Sequence, residues 1–410
     1  MPVGMQPTGE GKTGPAEASA TLTRSHRTPL HATFLELFFD LAYIFAFTQL
    51  SDYLIGNLDW AGAGRTLLLL LPLWWVWTTT AWVTDTYDPD RSTVQLHVIL
   101  VMVGILIMAV SVPHAYDRTR WVFAGAYVAV QVGAASYYTF INRHNRFRGP
   151  NLRALFWGCL SAVPWLAGSF LFGGVGEALW AFAAAVDYAA PKLRWPTPWI
   201  GRLKREDFQP TGEHVSERYR QFFIISLGET ILTSGLALSH NSFSVARTGA
   251  FLIAFATTAL VARIYIYRAG SMLEAVIKQA PEPLRPGQRA AFAHLLMVAG
   301  VVLIAAGDEI AIAHPMHHPR ATWAALILSG PALFLAGRAG LDQTVFARVS
   351  WSRVAGLIAL AVVSPAMLFA PPLAAAAAGT LTLLGVVLSN VATWRRTGRL
   401  PVAGEVAGEA

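Results

Sequence analysis

The sequence predicts an all-α polytopic membrane protein of about twelve transmembrane helices, arranged as two parallel six-helix repeats. Three observations lead there. The 410 residues are 54% hydrophobic and 13% charged, with mean hydropathy +0.46, whereas a soluble domain carries about 25% charge. Twelve apolar runs reach the length of a bilayer crossing, near 34–55, 66–84, 93–113, 119–140, 152–173, 175–191, 219–238, 247–268, 290–313, 320–337, 353–371 and 373–394. With both termini on one side, 26 of the 31 Lys and Arg fall on that side, leaving Arg65, Arg118, Arg120, Arg247 and Arg320 on the other. This asymmetry places the termini in the cytoplasm by the positive-inside rule. The net charge of +7 and pI near 9.7 have the same origin. The basic residues sit in short loops and form no aromatic-interleaved face, so nucleic acid is not an expected partner. The lone cysteine, Cys159, excludes a disulfide framework and a thiolate metal cluster.

Residues 1–30 are polar and lack the apolar core of a signal peptide, and read as a disordered cytoplasmic tail. The first six-helix repeat covers 31–191. Residues 192–213 form a basic, Pro-punctuated linker in which Trp195 and Trp199 beside Lys and Arg suit the membrane interface. The second repeat covers 214–396, and 397–410 form a second disordered tail. The sixth run is the shortest and contains Asp187.

Corresponding segments of the halves can be laid together. FFDLAYIFAFTQL at 38 aligns with FFIISLGETILTS at 222, RTLLLLLPLWW at 65 with RTGAFLIAFAT at 247, and RSTVQLHVILVMVG at 91 with RAAFAHLLMVAG at 289. Six spans per half make the repeats run in the same direction.

Charged groups at membrane depth are costly, and they face a protein interior or a water-filled cavity. Glu36 and Asp40 lie four residues apart on one face of the first span. Thr48, Gln49 and Asp52 continue a polar trail along it. Glu229, after Gly228, sits close to the midpoint of the seventh span, where a lone carboxyl has to be neutral or paired. Glu36, Asp40, Gln49 and Glu229 are the candidate substrate- or ion-binding residues. His97 and His294 occupy matching places in the third spans and are candidate proton relays; a packed histidine bonded to a backbone carbonyl is the structural alternative. Glu217, Arg218 and Asp187 are assigned a cytoplasmic gate or structural role, with capping and lipid head groups accounting for Glu217, Arg218 and Arg220 at the start of the seventh span.

Asp85, Asp88 and Asp90 with Arg91 make an acidic turn, readable as a cation vestibule or as turn chemistry. Asp308 and Glu309 precede His314, His317 and His318, but HPMHHP lacks a helical i,i+4 ligand pair, so it reads as surface loop and no metal is assigned. The aromatic run LWWVWTTTAW on the second span reads as packing and interface anchoring. No cofactor is expected.

ELFFDLAYIFAFTQLS at 36–51 and HVSERYRQFFIISLGETIL at 214–232 resemble the signatures of the bacterial low temperature requirement protein A family. ALWAFAAAVDYAAP at 178–191 and AHLLMVAGVVLIAAGDE at 293–309 are similar to further family segments. The likeness covers roughly residues 30–395. Carried over by position, the family's characteristic residues match Glu36, Asp40, Gln49, Asp187, His214, Glu217, Arg218, Gly228, Glu229, His294 and Glu309. Tyr219-Arg220-Gln221 departs from the family pattern, as does Arg263 in the eighth span. The resemblance implies a polytopic membrane protein linked by name to growth in the cold, with no settled activity. A fainter likeness, to potassium channels with an F-S-D motif in the first helix of each six-span repeat, rests on Phe39-Asp40 and is broken by Ile224 in the second half.

The expectation is therefore a bacterial inner-membrane transporter or channel-like protein, whose intramembrane carboxylates bind a small ion or proton. The alternatives are a membrane-embedded enzyme acting on a lipid or isoprenoid, and a structural or sensory protein for cold growth. Membrane lipids, and a small ion, proton or apolar small molecule, are the expected partners; oligomeric state stays open.

Overall fold

The computed structural model describes residues 32–204, 207, 212–266 and 269–397. Residues 1–31 and 398–410, and with them nearly all of both expected tails, lie outside the described residues, as does part of the linker. Among the described residues there are thirteen α-helices and one short 3-10 turn, with no β-strand beyond an isolated bridge between Thr197 and Gly201. The helices are α1 (Phe34–Gly56), α2 (Trp60–Thr86), α3 (Ser92–Ser111), α4 (Arg120–Ile141), α5 (Arg148–Phe170), α6 (Gly174–Lys192), α7 (Gly212–Ser239), α8 (Val245–Ile266), α9 (Ala269–Gln279), α10 (Leu284–Ala313), α11 (Ala321–Phe346), α12 (Trp351–Met367) and α13 (Pro372–Thr397).

Local chemistry sets several ends. Thr33 and Glu36 form a capping box at α1, the Thr33 side chain accepting from the Glu36 amide while the Glu36 carboxylate accepts from the Thr33 amide at 2.8 Å. The Asp59 carboxylate accepts from the Gly62 amide at the start of α2. Pro72, Pro164 and Pro331 lie inside α2, α5 and α11, where lost backbone bonds are tolerated in packed membrane helices.

Among the described residues, eight helices are long and apolar enough to cross a membrane: α1, α2, α3 with its following turn, α7, α8, α10, α11 and α13. Several show large apolar side chains outward, such as Phe38, Leu41 and Phe45 on α1 and Leu252 and Phe255 on α8. Such a chain needs an apolar surrounding. Of the other four expected spans, α12 is short, at 17 residues, while α4, α5 and α6 carry inward polar groups including Gln131, Ser161 and Asp187. The short α9 has no counterpart among the expected spans. Its Leu273 and Ile277 are buried, and its backbone lies so close to α7 that a Cβ on Gly212 would fall 2.7 Å from the Glu274 carbonyl.

The tightest seam joins α10 and α11, which run antiparallel. Gly300 and Gly307 on α10, and Gly330 and Gly337 on α11, repeat at seven residues. An added Cβ at Gly300 would meet the Phe334 nitrogen at 2.7 Å, and one at Gly337 the Ala293 carbonyl at 2.7 Å. Small residues here let the backbones touch.

Within the first half α1 packs on α2 and α3, and contacts follow between α3 and α4, α4 and α5, α5 and α6, and α2 and α6. In the second half the same order of neighbours holds for α7, α8, α10, α11, α12 and α13. The halves meet where α1 packs on α7 and α10, and α2 on α7.

Candidate functional site

Where α1 meets α7, every acid on the buried face of the first turns finds a base. Arg218 grips Asp40 with two parallel bonds, Nη1 to Oδ2 and Nη2 to Oδ1, each 2.8 Å. The Trp77 indole on α2 donates to the same Oδ1 at 2.9 Å, and the guanidinium lies 5.7 Å from the Trp77 ring centre. One turn earlier His214 Nε2 meets Glu36 Oε1 at 2.9 Å, and its Nδ1 stands 3.3 Å from Asp85 Oδ1 at the end of α2. Arg218 Nε is 3.5 Å from Glu36. All five charged groups are at most 5% exposed. Bidentate, charge-assisted pairing is what makes such burial tolerable. The pairs 36–214 and 40–218 are both 178 residues apart, so α1 and α7 run parallel in constant register.

Further along the same interface, Glu229 is held, among the described residues, by two hydroxyls. Thr48 on α1 lies 2.5 Å from Oε2, and Thr233 on α7 lies 2.6 Å from Oε1. Gly228 lets Ile44 approach, since a Cβ there would meet its Cδ1 at 3.3 Å. Asp52 and Glu309 stand near enough to interact with Glu229 electrostatically. Asp40 and Glu229 thus have separate partners on one helix pair.

The first half encloses a cavity of about 560 Å³ among α2 to α6 and the segment 193–204. Its walls include the rings of Trp75, Trp82, Tyr87, Tyr138, Trp157 and Trp195. Asp187 lies at the wall, 3% exposed. Tyr127 donates to its Oδ2 at 2.7 Å, Trp165 to Oδ2 at 3.1 Å, and Gln131 to Oδ1 at 3.0 Å. Asp85 lines the same cavity, so one carboxylate belongs to both the cavity and the ionic cluster. The segment 193–204, which supplies Trp195 and Leu203 to the wall, is strapped to α5: Arg153 donates to the carbonyls of Gly201 at 3.1 Å and Ile200 at 2.9 Å, and Trp157 to that of Pro196 at 3.1 Å. Arg194, Trp195 and Trp199 are held at φ 64°, 46° and 64°, a region non-Gly residues occupy only when their surroundings compel it.

The sequence model for the bacterial low temperature requirement A protein (LtrA) matches residues 31–388. The chain belongs to the bacterial low temperature requirement A family. It is also 31% identical over 376 residues to an uncharacterized protein of Rhizobium meliloti (strain 1021), covering 91% of each chain. No solved structure matches. Membership of this bacterial family, with eight helices of spanning length and character, fits a membrane location.

The low temperature requirement A motifs at 36–51 and 214–232 are therefore the two sides of one interface. Glu36, Asp40, His214 and Arg218 form the cluster, and Thr48 and Glu229 the second contact. Gln49 is half-buried beside Thr48. Asp187 belongs to the cavity of the first half. Arg218, which the sequence places toward head groups, is turned inward under Asp40. Glu217 instead pairs locally with Arg220 and accepts from Gln221 at 2.7 Å. His97 lines the cavity, edge-on to Tyr138 at 5.0 Å. His294 is packed against Tyr219 at 4.4 Å, with Nδ1 2.7 Å from the Ala290 carbonyl and Nε2 3.0 Å from the Tyr265 hydroxyl. Of the acidic turn, Asp85 faces inward while Asp88 pairs with Arg91 at 3.7 Å. His314 and His317 lean on Trp323 at 5.2 and 5.8 Å. Partial burial, with neighbouring His317 and Arg320, holds His314 below the usual histidine range.

Sequence reasoning passed over His214 and Asp85 as members of the cluster. The signal was present: His214 and Arg218 repeat the four-residue spacing of Glu36 and Asp40 with opposite charge. A second buried cluster, Arg338 with Asp342 on α11 and Arg353 on α12 (3.4 Å from Asp342), was also missed.

Proposed function

We propose that the protein is a membrane carrier that receives its substrate in the cavity of the first half and uses the α1–α7 ionic cluster as its two-state element. In this reading the chain makes twelve crossings as two parallel repeats, with both termini in the cytoplasm of a bacterial inner membrane. The recurring order of helix neighbours, the parallel run of α1 and α7 and the one-sided Lys and Arg support that layout.

The observation that carries the proposal is the double membership of Asp85. It lines the cavity and faces His214 at 3.3 Å, so a ligand that disturbs Asp85 also disturbs the contact between halves. Glu229 is the site for a coupling proton or cation, since its oxygens are held by two hydroxyls, whereas Asp40 already has its counter-charge in Arg218.

Accessibility tests this without knowledge of the substrate. In a Cys159→Ser background, Ala135→Cys places a thiol on the cavity wall. A membrane-impermeant maleimide should label it from either face of oriented vesicles, and Glu229→Gln should restrict labelling to one face. Labelling from one face only, in both backgrounds, overturns the carrier.

A second reading, a purely structural role for the cluster, is favoured by its pairing, in which each of the five groups has an opposite partner within 3.5 Å. It requires the Ala135 thiol to react identically with and without Asp85→Asn.

A further inference from the structure

The cavity of the first half contains a carboxyl group without a counter-charge. Asp187 is 3% exposed, and its hydrogen-bond partners, Tyr127, Gln131, Trp165 and Ser161, are all neutral. No Lys, Arg or His among the described residues forms an ion pair with it. The protein contains buried acids of the opposite kind: Asp40 and Asp342 both face guanidinium groups. A buried carboxylate is best compensated by hydrogen bonds together with a positive charge, and here neutral donors hold the oxygens in place with no positive side chain paired to them.

The walls supply the other half of a cation site. Trp75, Trp82, Tyr87, Tyr138 and Trp157 present aromatic rings to the space, and ring faces attract a desolvated cation. Neither of the two lining arginines is bonded to Asp187. Arg153 is turned to the carbonyls of residues 200–202, and Arg146 lies over the Phe147 ring at 4.8 Å. The buried Tyr138 hydroxyl has no hydrogen-bond partner among the described residues.

The cavity also has an apolar annex. A groove of about 420 Å³ runs between α3 and α4, and His97, Val101, Val130 and Ala134 line both spaces. Leu100, Val103 and Ile107 on the groove wall are of the kind that face lipid, and Gly133 leaves it open, with nothing within 4 Å of an added Cβ. These four shared wall residues set the groove beside the cavity that holds Asp187.

We propose that the cavity binds a lipophilic organic monocation, its charge beside Asp187 among the aromatic rings and its apolar part toward the α3–α4 groove. This rests on the carrier reading for its purpose, but not for its chemistry. The same chemistry is offered by a freely diffusing cation and by the amine head group of a lipid.

Tetraphenylphosphonium and tetraphenylborate have the same shape and opposite charge, and form the probe pair. With the full chain in phosphatidylglycerol nanodiscs, tetraphenylphosphonium should bind saturably and raise the melting temperature, and tetraphenylborate should do neither. Asp187→Asn should weaken binding about tenfold or more, the loss of one charge pair. Ala134→Trp, at a wall shared by groove and cavity, should weaken it too. Tetramethylammonium should bind far more weakly than tetraphenylphosphonium. Equal binding of the borate, or unchanged affinity in Asp187→Asn that keeps the wild-type melting temperature, overturns the proposal. If Asp187→Asn does not fold, the phosphonium–borate contrast in the wild type and the Ala134→Trp variant decide alone. Competition by added phosphatidylethanolamine marks a lipid head group as the source, and unaltered affinity marks a diffusing cation; both support the cation class. Cation binding combined with one-sided labelling of Ala135→Cys overturns the carrier alone, and two-sided labelling with equal borate binding overturns the cation alone.

Discussion

Arg218 and Asp40 are joined by two parallel bonds of 2.8 Å across 178 residues of sequence, with neither side chain more than 1% exposed. The pair fixes the register of α1 on α7. Its place in the structure is that of a clasp between the two halves of the chain.

Breaking the clasp on one side leaves a buried charge alone. Asp40→Asn or Arg218→Leu is expected to destabilise the protein by about 3–5 kcal/mol, while Asp40→Leu combined with Arg218→Leu recovers most of that loss. Unfolding titrations of the four proteins in one detergent measure it, and a double variant no better than the singles contradicts the pairing.

The next turn offers a graded comparison. His214→Gln keeps a donor for Glu36 Oε1, now 2.9 Å from the ring, whereas His214→Ala keeps none. The alanine variant should lose about 1.5–3 kcal/mol, the value of a hydrogen bond to a charged group, and the glutamine variant clearly less. Equal losses place the weight of His214 in packing.

At Glu229 the two hydroxyls are the only hydrogen-bond partners of the carboxyl among the described residues. Thr48→Val should cost about 1–3 kcal/mol, the penalty for an unsatisfied buried polar atom. In a Glu229→Leu background the same change should be nearly neutral, which a double-mutant cycle reads directly.

Glycines on α10 and α11 differ sharply from those on α13. A Cβ at Gly337 meets three atoms at 2.7–2.8 Å, two of them backbone, whereas one at Gly385 meets nothing within 4 Å. Gly337→Ala should therefore lower the melting temperature strongly, and Gly385→Ala should raise stability by up to about 1 kcal/mol, the helix-propensity gain.

Arg153 ties the cavity-lining segment 193–204 to α5 through its bonds at 2.9 and 3.1 Å. Arg153→Ala should release that segment, and limited proteolysis between Leu193 and Leu203 should accelerate while the helices stay resistant. Unchanged cleavage means the strained turn holds itself.

Helix ends show how far the sequence could be read and where it stopped. The first span, read as 34–55, is α1 at Phe34–Gly56. The seventh, read from 219, begins at Gly212, and the tenth, read to 337, continues to Phe346. Both errors have one cause. An apolar run is taken to end at its first charges, yet His214 and Arg218 are neutralised by acids of α1, and Arg338 by Asp342 on its own helix. The extra helical turns are buried because their charges are matched. The carboxylates were legible as unusual, but not their partners. The cavity was less legible still, because its polar residues are divided among five helices and its aromatic walls look like packing in one dimension.

Composition and hydropathy are sums over neighbouring residues, so the chain alone determined that it is helical and apolar around most of its helices. Which acid meets which base depends on how helices 178 residues apart in sequence lie side by side. Only the packed structure decided that Asp40 is clasped by Arg218, that Asp85 joins the cavity to the interface, and that Asp187 is left among neutral donors.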